Sequence, residues 1–278
     1  MIIGKKEFDL ESNCYIMGIL NFTPDSFSDG GKFNNIDSAL EHVEQMINEG
    51  VDIVDIGGES TRPDYIKISD DEEISRIVPV IEAVKQRFDI PVSLDTYKYK
   101  VAEAGIQAGT DLINDIWGLK YDNGQMAQLI AEKKLPCCLM HNRNNQNYNC
   151  FMDDIISDMK QSVNIALKAG IRKKNIILDI GVGFAKSYEN NLEAINCIDC
   201  FRKSLGYPIL LGTSRKSVIG LTLDLPSNQR VEGTIATSVI GVMKGVSMVR
   251  VHDVKENARA VKMALAIMKG YLNGRNSY

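Results

Sequence analysis

The chain has 278 residues, enough for one complete α/β barrel or two modest domains. Its 44% hydrophobic and 24% charged residues are ordinary for a globular protein, and a net charge of -4 lacks the basic excess of a nucleic-acid binder. No apolar run approaches the roughly 20 residues that span a bilayer, and Met1 to Leu10 lacks a signal-peptide core, so the expected setting is the cytoplasm, with no membrane partner.

Residues 1–12 read as a small hairpin or cap. Tyr15 to Leu20 is an apolar strand that runs into an oxygen-rich loop, Asn21-Phe-Thr-Pro-Asp-Ser-Phe-Ser-Asp-Gly-Gly31. Helical spacing of apolar residues begins near Asp37, an N-cap type, and Gly50 closes that helix. Val51 to Ile56 is β-branched and nearly continuous, as a strand buried on both faces reads. It opens into Gly57-Gly-Glu-Ser-Thr-Arg-Pro63. There backbone can approach a ligand, hydroxyls and an arginine fork are available, and Pro63 blocks a helix.

Asp70-Asp-Glu-Glu73 suits the dipole at a helix start, and is read as a solvated first turn of a helix ending near Phe88. Strands then follow at Ile90–Leu94, Thr110–Ile113, Leu135–Met140, Asn175–Leu178, Pro208–Leu211 and Ser247–Val251. Helices between and after them are expected at 98–107, 125–133, 153–168, from the strand-six loop through Arg202, 231–243, and from Val254 to near Met268, with a frayed tail beyond. The polar run 142–149 reads as a mobile loop. Cys14, Cys137 and Cys138 read as buried apolar thiols, and Cys197-Ile-Asp-Cys200, inside a helical stretch with no second ligand pair, as reduced cysteines.

This rhythm repeats every ~30 residues, without linker or low-complexity block. It fits a single (β/α)8 TIM barrel domain over residues 1–278, with a short N-terminal hairpin-like cap; such barrels run to about 250 residues. A doubly wound sheet is the rival, but Gly181-Val-Gly183 lacks the third glycine of a dinucleotide fingerprint and comes late.

Barrel sites lie at the C-terminal strand ends. There stand Asn21, Thr61 with Arg62, Asp95, Asn114, Met140, Asp179, Lys216 with Ser217, and Arg250 with His252. A helix cap at Asp95, an Asx turn at Asn114 or a structural role for His252 would each be ordinary. Eight strands all ending this way are harder to explain so. Asp95, Asn114 and Asp179 suit a flat heterocycle carrying N–H donors. Asn21, Thr61, Arg62, Lys216, Arg250 and His252 suit a phosphate ester with a bridging Mg²⁺. No Ser/His/Asp triad is visible.

At these residues the chain resembles the dihydropteroate synthases. The Asn21–Gly31 and Gly57–Pro63 stretches, Gly212-Thr-Ser-Arg-Lys-Ser217 and Arg250-Val-His-Asp253 are similar to that family's signatures, in order, and the likeness runs from about Tyr15 to Lys269. The resemblance implies a transferase of folate biosynthesis that joins p-aminobenzoate to 6-hydroxymethyl-7,8-dihydropterin diphosphate, releasing pyrophosphate. It implies that Asp95, Asn114, Asp179 and Lys216 hold the pterin, near Gly212, with Ile116 and Met140 against its faces. Asn21 is then the Mg²⁺ ligand, and Thr61, Arg250 and His252 grip the diphosphate. Arg62, Pro63, Phe27, Phe184, Lys216 and Ser217 shape the aminobenzoate pocket, and Asp29 orders the site. Lys216, Arg250, Asp29 and Thr61 are the implied catalytic set. A homodimer, and competitive inhibition by sulfonamides, are also implied.

The implied chemistry is physically reasonable. Cations stabilise departing pyrophosphate, an electron-rich dihydropterin stabilises a methylene cation, and a neutral arylamine needs no strong base. The chain departs from the family pattern at Asp64-Tyr65, Ile180, Ala185 and Asn142-Arg143-Asn144. Two other readings are a pterin-binding methyltransferase domain, which has no need of Ser-Thr-Arg-Pro or Ser-Arg-Lys-Ser, and a non-catalytic pterin-binding protein.

Overall fold

A computed structural model describes residues 1–22, 32–59 and 67–275. Two short strands, β1 (Ile2–Ile3) and β2 (Lys6–Glu7), form the expected antiparallel hairpin. Eight parallel strands follow: β3 (Tyr15–Asn21), β4 (Ile53–Gly57), β5 (Val92–Asp95), β6 (Leu112–Asp115), β7 (Cys137–Met140), β8 (Ile176–Asp179), β9 (Ile209–Leu211) and β10 (Met248–Val251). They pair in chain order, and β10 returns to β3 to close the barrel, with Val249 opposite Ile16 and Arg250 opposite Met17. Helices lie between the strands: α1 (Lys32–Glu49), α2 (Asp70–Arg87), α3 (Tyr99–Ala108), α4 (Gln125–Lys133), α5 (Phe151–Ala169), α6 (Tyr188–Asn196), α7 (Ile198–Leu205), α8 (Ser217–Leu223) and α9 (Val231–Met243), with α10 (Val254–Arg275) last. This is the (β/α)8 barrel expected from the strand–helix rhythm.

Strand side chains alternate between two environments, because the pleat has a period of two. Outward residues such as Val54, Ile56, Leu94, Leu139 and Leu178 pack against helices in one continuous core. Inward residues Met17, Ile53, Leu112, Cys138, Ile177, Leu210 and Met248 form a separate cluster inside the barrel. Ile3, Phe8 and Leu10 from the hairpin region join that cluster and plug the floor, with Phe8 edge-on to Tyr15 at 4.8 Å. The lower half of the barrel is therefore filled and apolar, and polar residues are left to the upper half.

Several boundaries differ from the sequence reading for local reasons. The helix expected through Arg202 is two helices, broken at Cys197 (φ -102°, ψ 16°). No Gly or Pro marks the break, which turns Ile198 and Phe201 fully into the core. α8 was not anticipated: seven residues show too little periodicity, and it starts directly from the Lys216-Ser217 motif. α1 begins five residues before Asp37, and α10 runs to Arg275, past the expected end near Met268. α2 has the acidic start, with the Ser69 hydroxyl accepting from the Glu72 N–H at 3.1 Å. Its fourth acid is not solvated: Glu73 is 1% exposed and lies 2.8 Å from Lys98 Nζ, which also donates to Glu59 at 2.6 Å.

The floor plug gives a stability test. Phe8→Ala should destabilise the protein by about 3 kcal/mol, as large-to-small core changes do, measured by urea unfolding. A loss below about 1 kcal/mol would mean that the hairpin region is not part of the core.

Candidate active site at the barrel mouth

The alternation that fills the floor also builds the mouth. Two residues beyond an inward side chain, the next inward position lies one layer higher. Ile53 is thus followed by Asp55, Ser93 by Asp95, Leu112 by Asn114, Cys138 by Met140, Ile177 by Asp179, Leu210 by Gly212, and Met248 by Arg250 and then His252. Asn21 takes the same place at the end of β3. The strand-end residues singled out from the sequence converge for this reason.

Arg250 is the central charge. Its Nε donates to Asp55 at 2.5 Å and its Nη2 to Asp95 at 2.6 Å. Asp55 also accepts from the Asn114 amide at 3.1 Å. Asp95 is therefore neither a helix cap nor free of a cation, and α3 has no side-chain cap at all. One guanidinium serves two buried carboxylates. Desolvation, eased by Arg250 and reinforced by Asp55, pushes the Asp95 carboxyl up to about 7. Burial likewise raises Asp179, against the pull of Lys216. Oδ1 of Asp95 and Oδ1 of Asp55 have no hydrogen-bond partner among the described residues, so acceptor capacity is left in the mouth.

Asp55 was missed in the sequence reading, although the signal was present. It is an acid inside an otherwise apolar strand, at the inward parity of Ile53. Asp115, at the outward parity of Ile113, is a second buried acid within a strand. It accepts from the Trp117 and Leu119 N–H groups at 2.8 and 2.7 Å, so the Asx-type turn belongs to Asp115 and not to Asn114.

Beside the carboxylates, Ile116 and Met140 pack with Tyr97 in a small apolar cluster touched by Trp117 and Phe184, and Met140 pairs with Asp179 across β7 and β8. Lys216 lies 4.7 Å from the Phe184 ring centroid and donates to the Val182 carbonyl. Burial lowers its ammonium to about 8, against the opposing effect of Asp179. A Cβ at Gly212 would stand 3.7 Å from Asp179 Oδ2 and 3.9 Å from Lys216 Nζ, so the glycine keeps the space between them open. Ser217 follows as the exposed first residue of α8. Ser214 Oγ accepts from the His252 backbone N–H at 3.1 Å and lies within hydrogen-bond distance of His252 Nδ1 at 3.0 Å. Arg215 pairs with Asp253 through two nitrogens, binding the β9 loop to the β10 loop.

Phe27, Asp29, Thr61, Arg62 and Pro63 lie outside the described residues, as do Asp64 and Tyr65. Just before that second segment, Glu59 accepts from Tyr97 and Lys98, and beyond it from the Ile68 N–H at 2.9 Å. The run 142–149 is tied down at several points: Arg143 donates to Asp158 and to the Asn147 carbonyl, and its guanidinium lies over the Tyr148 ring. Ala185, at a position where the resemblance implies glycine, has φ +45°. All six cysteines are free thiols, with Cys14, Cys137 and Cys138 buried.

Among the described residues no group of three or more His, Cys, Asp or Glu could hold a metal. The amide oxygen of Asn21 would lie 3.9 Å from a Cβ at Gly57, the glycine that also faces Asp95. One neutral oxygen at a mouth rich in anion-binding groups suits Mg²⁺, which keeps waters and takes its remaining ligands from substrate phosphate. No helix among the described residues is long and apolar enough to cross a membrane.

Known proteins are similar to this chain in sequence and fold. A family model described as "Pterin binding enzyme" matches residues 17–252. The dihydropteroate synthase of Clostridium beijerinckii is 61% identical over 270 residues, 97% of this chain and 100% of that protein. A Clostridium difficile dihydropteroate synthase solved in the presence of pteroic acid superposes with a TM-score of 0.91 at 50% identity, covering 94% of this chain and 99% of that one. A Yersinia pestis dihydropteroate synthase in a sulfonamide drug complex gives 0.90 at 40% identity, covering 97% and 99%.

Burial of Asp95 beside a second acid makes stability depend on pH. A carboxyl whose folded pKa lies above its unfolded value stabilises most at low pH, and loses that contribution as pH rises through the folded value. For Asp95 the window runs from about 4 to about 7. Asp55→Asn removes the neighbouring charge and should flatten this part of the urea-unfolding profile between pH 5 and 7.5. An unchanged slope would show that the two acids do not share one cation.

Proposed function

Because the chain belongs to the dihydropteroate synthase family of transferases, we propose that it condenses p-aminobenzoate with 6-hydroxymethyl-7,8-dihydropterin diphosphate to give 7,8-dihydropteroate and pyrophosphate. The observation that carries this reading is the mouth itself: carboxylates on β4, β5 and β8, with the Asn114 amide on β6, face cations on β10 and the β9 loop within one ring of strands. Residues 1–278 act as one pterin-binding domain. Six free thiols fit a reducing compartment, and we assign the protein to the cytoplasm.

In this mechanism Asp179 accepts hydrogen bonds from the pterin's amino and ring N–H groups, Asn114 and Asp95 fix its second edge, and Ile116 and Met140 pack its faces. Ionised carboxylates discriminate strongly for a ring with matching donors. Lys216 donates to the pterin from the other side and, with Phe184 and Ser217, borders the aminobenzoate. Arg250 and His252 take up diphosphate charge, with the His252 ring held through Nδ1 by Ser214. Thr61, Arg62, Pro63, Phe27 and Asp29 complete the pocket as the family resemblance implies. Asn21 would hold Mg²⁺, which neutralises phosphate charge when bound. No side chain need act as a strong base, since the arylamine is neutral at pH 7. Positioning and leaving-group stabilisation therefore carry the rate, through a dissociative loss of pyrophosphate. Sulfonamides, as aminobenzoate analogues, would compete at the same pocket.

Mixing the protein with Mg²⁺, p-aminobenzoate and the pterin diphosphate should release pyrophosphate and form dihydropteroate together. Pterin binding without condensation would favour the methyltransferase-like or non-catalytic reading. Asp179→Asn should raise the Michaelis constant for the pterin at least about tenfold, and an unchanged constant would remove Asp179 from the pterin site. Ile240, Met243, Met263 and Ile267 on α9 and α10 are exposed large apolar residues, and these helices pack on each other. They support a homodimer through this face. Met243→Asp should shift the sedimentation coefficient from dimer to monomer, and a monomeric parent protein would contradict the assignment.

A further inference from the structure

Behind the mouth lies a buried polar chain that the mechanism above does not use. His141 follows β7 directly and is fully buried. Its Nε2 is 3.0 Å from Asp158 on α5, and its Nδ1 is 2.9 Å from Lys186 Nζ. The Lys186 ammonium also donates to the carbonyls of Gly181 at 2.9 Å and Phe184 at 3.1 Å. Its three N–H bonds thus have three acceptors, which fixes the histidine as the neutral tautomer with Nε2–H toward Asp158. Asp158 has a further partner in Arg143 Nε. The charged groups facing Lys186 are Asp179, Lys216, Arg143 and Asp158, and burial lowers its ammonium to about 7.

The turn held by Lys186 is unusual. Gly181, Gly183 and Ala185 all have positive φ, at +73°, +84° and +45°. A Cβ at Gly181 would lie 2.0 Å from the His141 carbonyl oxygen, so the β7 and β8 loops touch backbone to backbone. Tyr148 adds a hydrogen bond to the Ala185 carbonyl at 2.8 Å. Carbonyls of this turn serve two different lysines. Those of 181 and 184 face Lys186 at the back, and that of 182 faces Lys216 at the front. Phe184, on the same turn, lies against Lys216.

We propose that Lys186 is a positioning residue for the condensation: held by His141, it sets the 181–185 turn that aims Lys216 and Phe184 at the substrates. The proposal rests on the functional reading above, and it separates from it experimentally. Lys186→Met keeps the length of the side chain and removes its donors. The Michaelis constant for p-aminobenzoate should rise about tenfold or more while kcat falls less than about threefold. A purely structural lysine would lower the melting temperature and leave that constant unchanged, which would overturn the proposal.

Two histidine variants decide the matter even if Lys186→Met does not fold. In His141→Asn the amide oxygen stands where Nδ1 stood, and Arg143 still serves Asp158, so the constant should stay near that of the parent. His141→Leu offers no acceptor and should behave as Lys186→Met; equal behaviour of the two histidine variants would refute the role. The chain has three histidines, so the His141 ring is readily assigned by ¹⁵N NMR. Its Nε2–H tautomer should persist between pH 8 and 6, and its Nδ1 signal should move in Lys186→Met. If the parent protein makes no dihydropteroate but the Nδ1 signal responds as stated, the functional reading fails and the Lys186–His141 contact stands. A silent Nδ1 signal in an active parent refutes the Lys186 proposal alone.

Discussion

One guanidinium between two buried carboxylates organises the mouth of this barrel. Arg250 reaches across from β10 to Asp55 on β4 and Asp95 on β5, and Asp55 passes the constraint to Asn114 on β6. The two arginine–carboxylate contacts are short and poorly solvated, so both are strong, and each carboxylate keeps one bare oxygen. The interior is consequently ordered before any ligand arrives. It is also frustrated, because two acids share one cation and burial holds Asp95 near neutrality. A ligand with N–H donors relieves that frustration, which is a physical reason for such a mouth to select a donor-bearing ring.

The loops are governed by the same need for fixed geometry. Non-glycine residues are held at positive φ where the chain leaves β6, β8 and β9: Leu119, Ala185 and Arg215. Each has a local restraint. Leu119 donates its N–H to Asp115, the Ala185 carbonyl accepts from the Tyr148 hydroxyl, and Arg215 is paired with Asp253. Backbone conformations of this kind persist where the surroundings over-determine them, and here they place Phe184 and Lys216.

Much of this was legible in the chain. Short β-branched runs alternating with helical periodicity specified the barrel, and polar residues at strand ends marked Asp95, Asn114, Asp179 and Arg250. What was not legible is instructive. Asp55 lay inside a strand that read as continuous apolar core, and only the inward parity it shares with Ile53 separates it from Val54 and Ile56. Glu73 looked like one more helix-start acid, but pairs with Lys98 in the interior through a contact 25 residues on. The break at Cys197 carries no Gly or Pro, and α8 is too short for a periodic signal. His141, Lys186 and Asp158 come from three separate segments, and only the three-dimensional fold reveals that they form a chain.

The closure of the ring has a consequence for how the molecule comes into being. Consecutive strands can pair as the chain is made, but β10 joins β3 only after almost the whole chain exists, since Val251 pairs with Gly18. Contacts so distant in sequence form late, because loop entropy must first be overcome. Asp55 and Asp95 are therefore laid down long before their arginine. A nascent or partly opened barrel carries two interior acids with no counter-charge, and they must stay hydrated or protonated. Assembly of the charge centre and sealing of the ring are thus one event, so no partly folded form can hold a complete site.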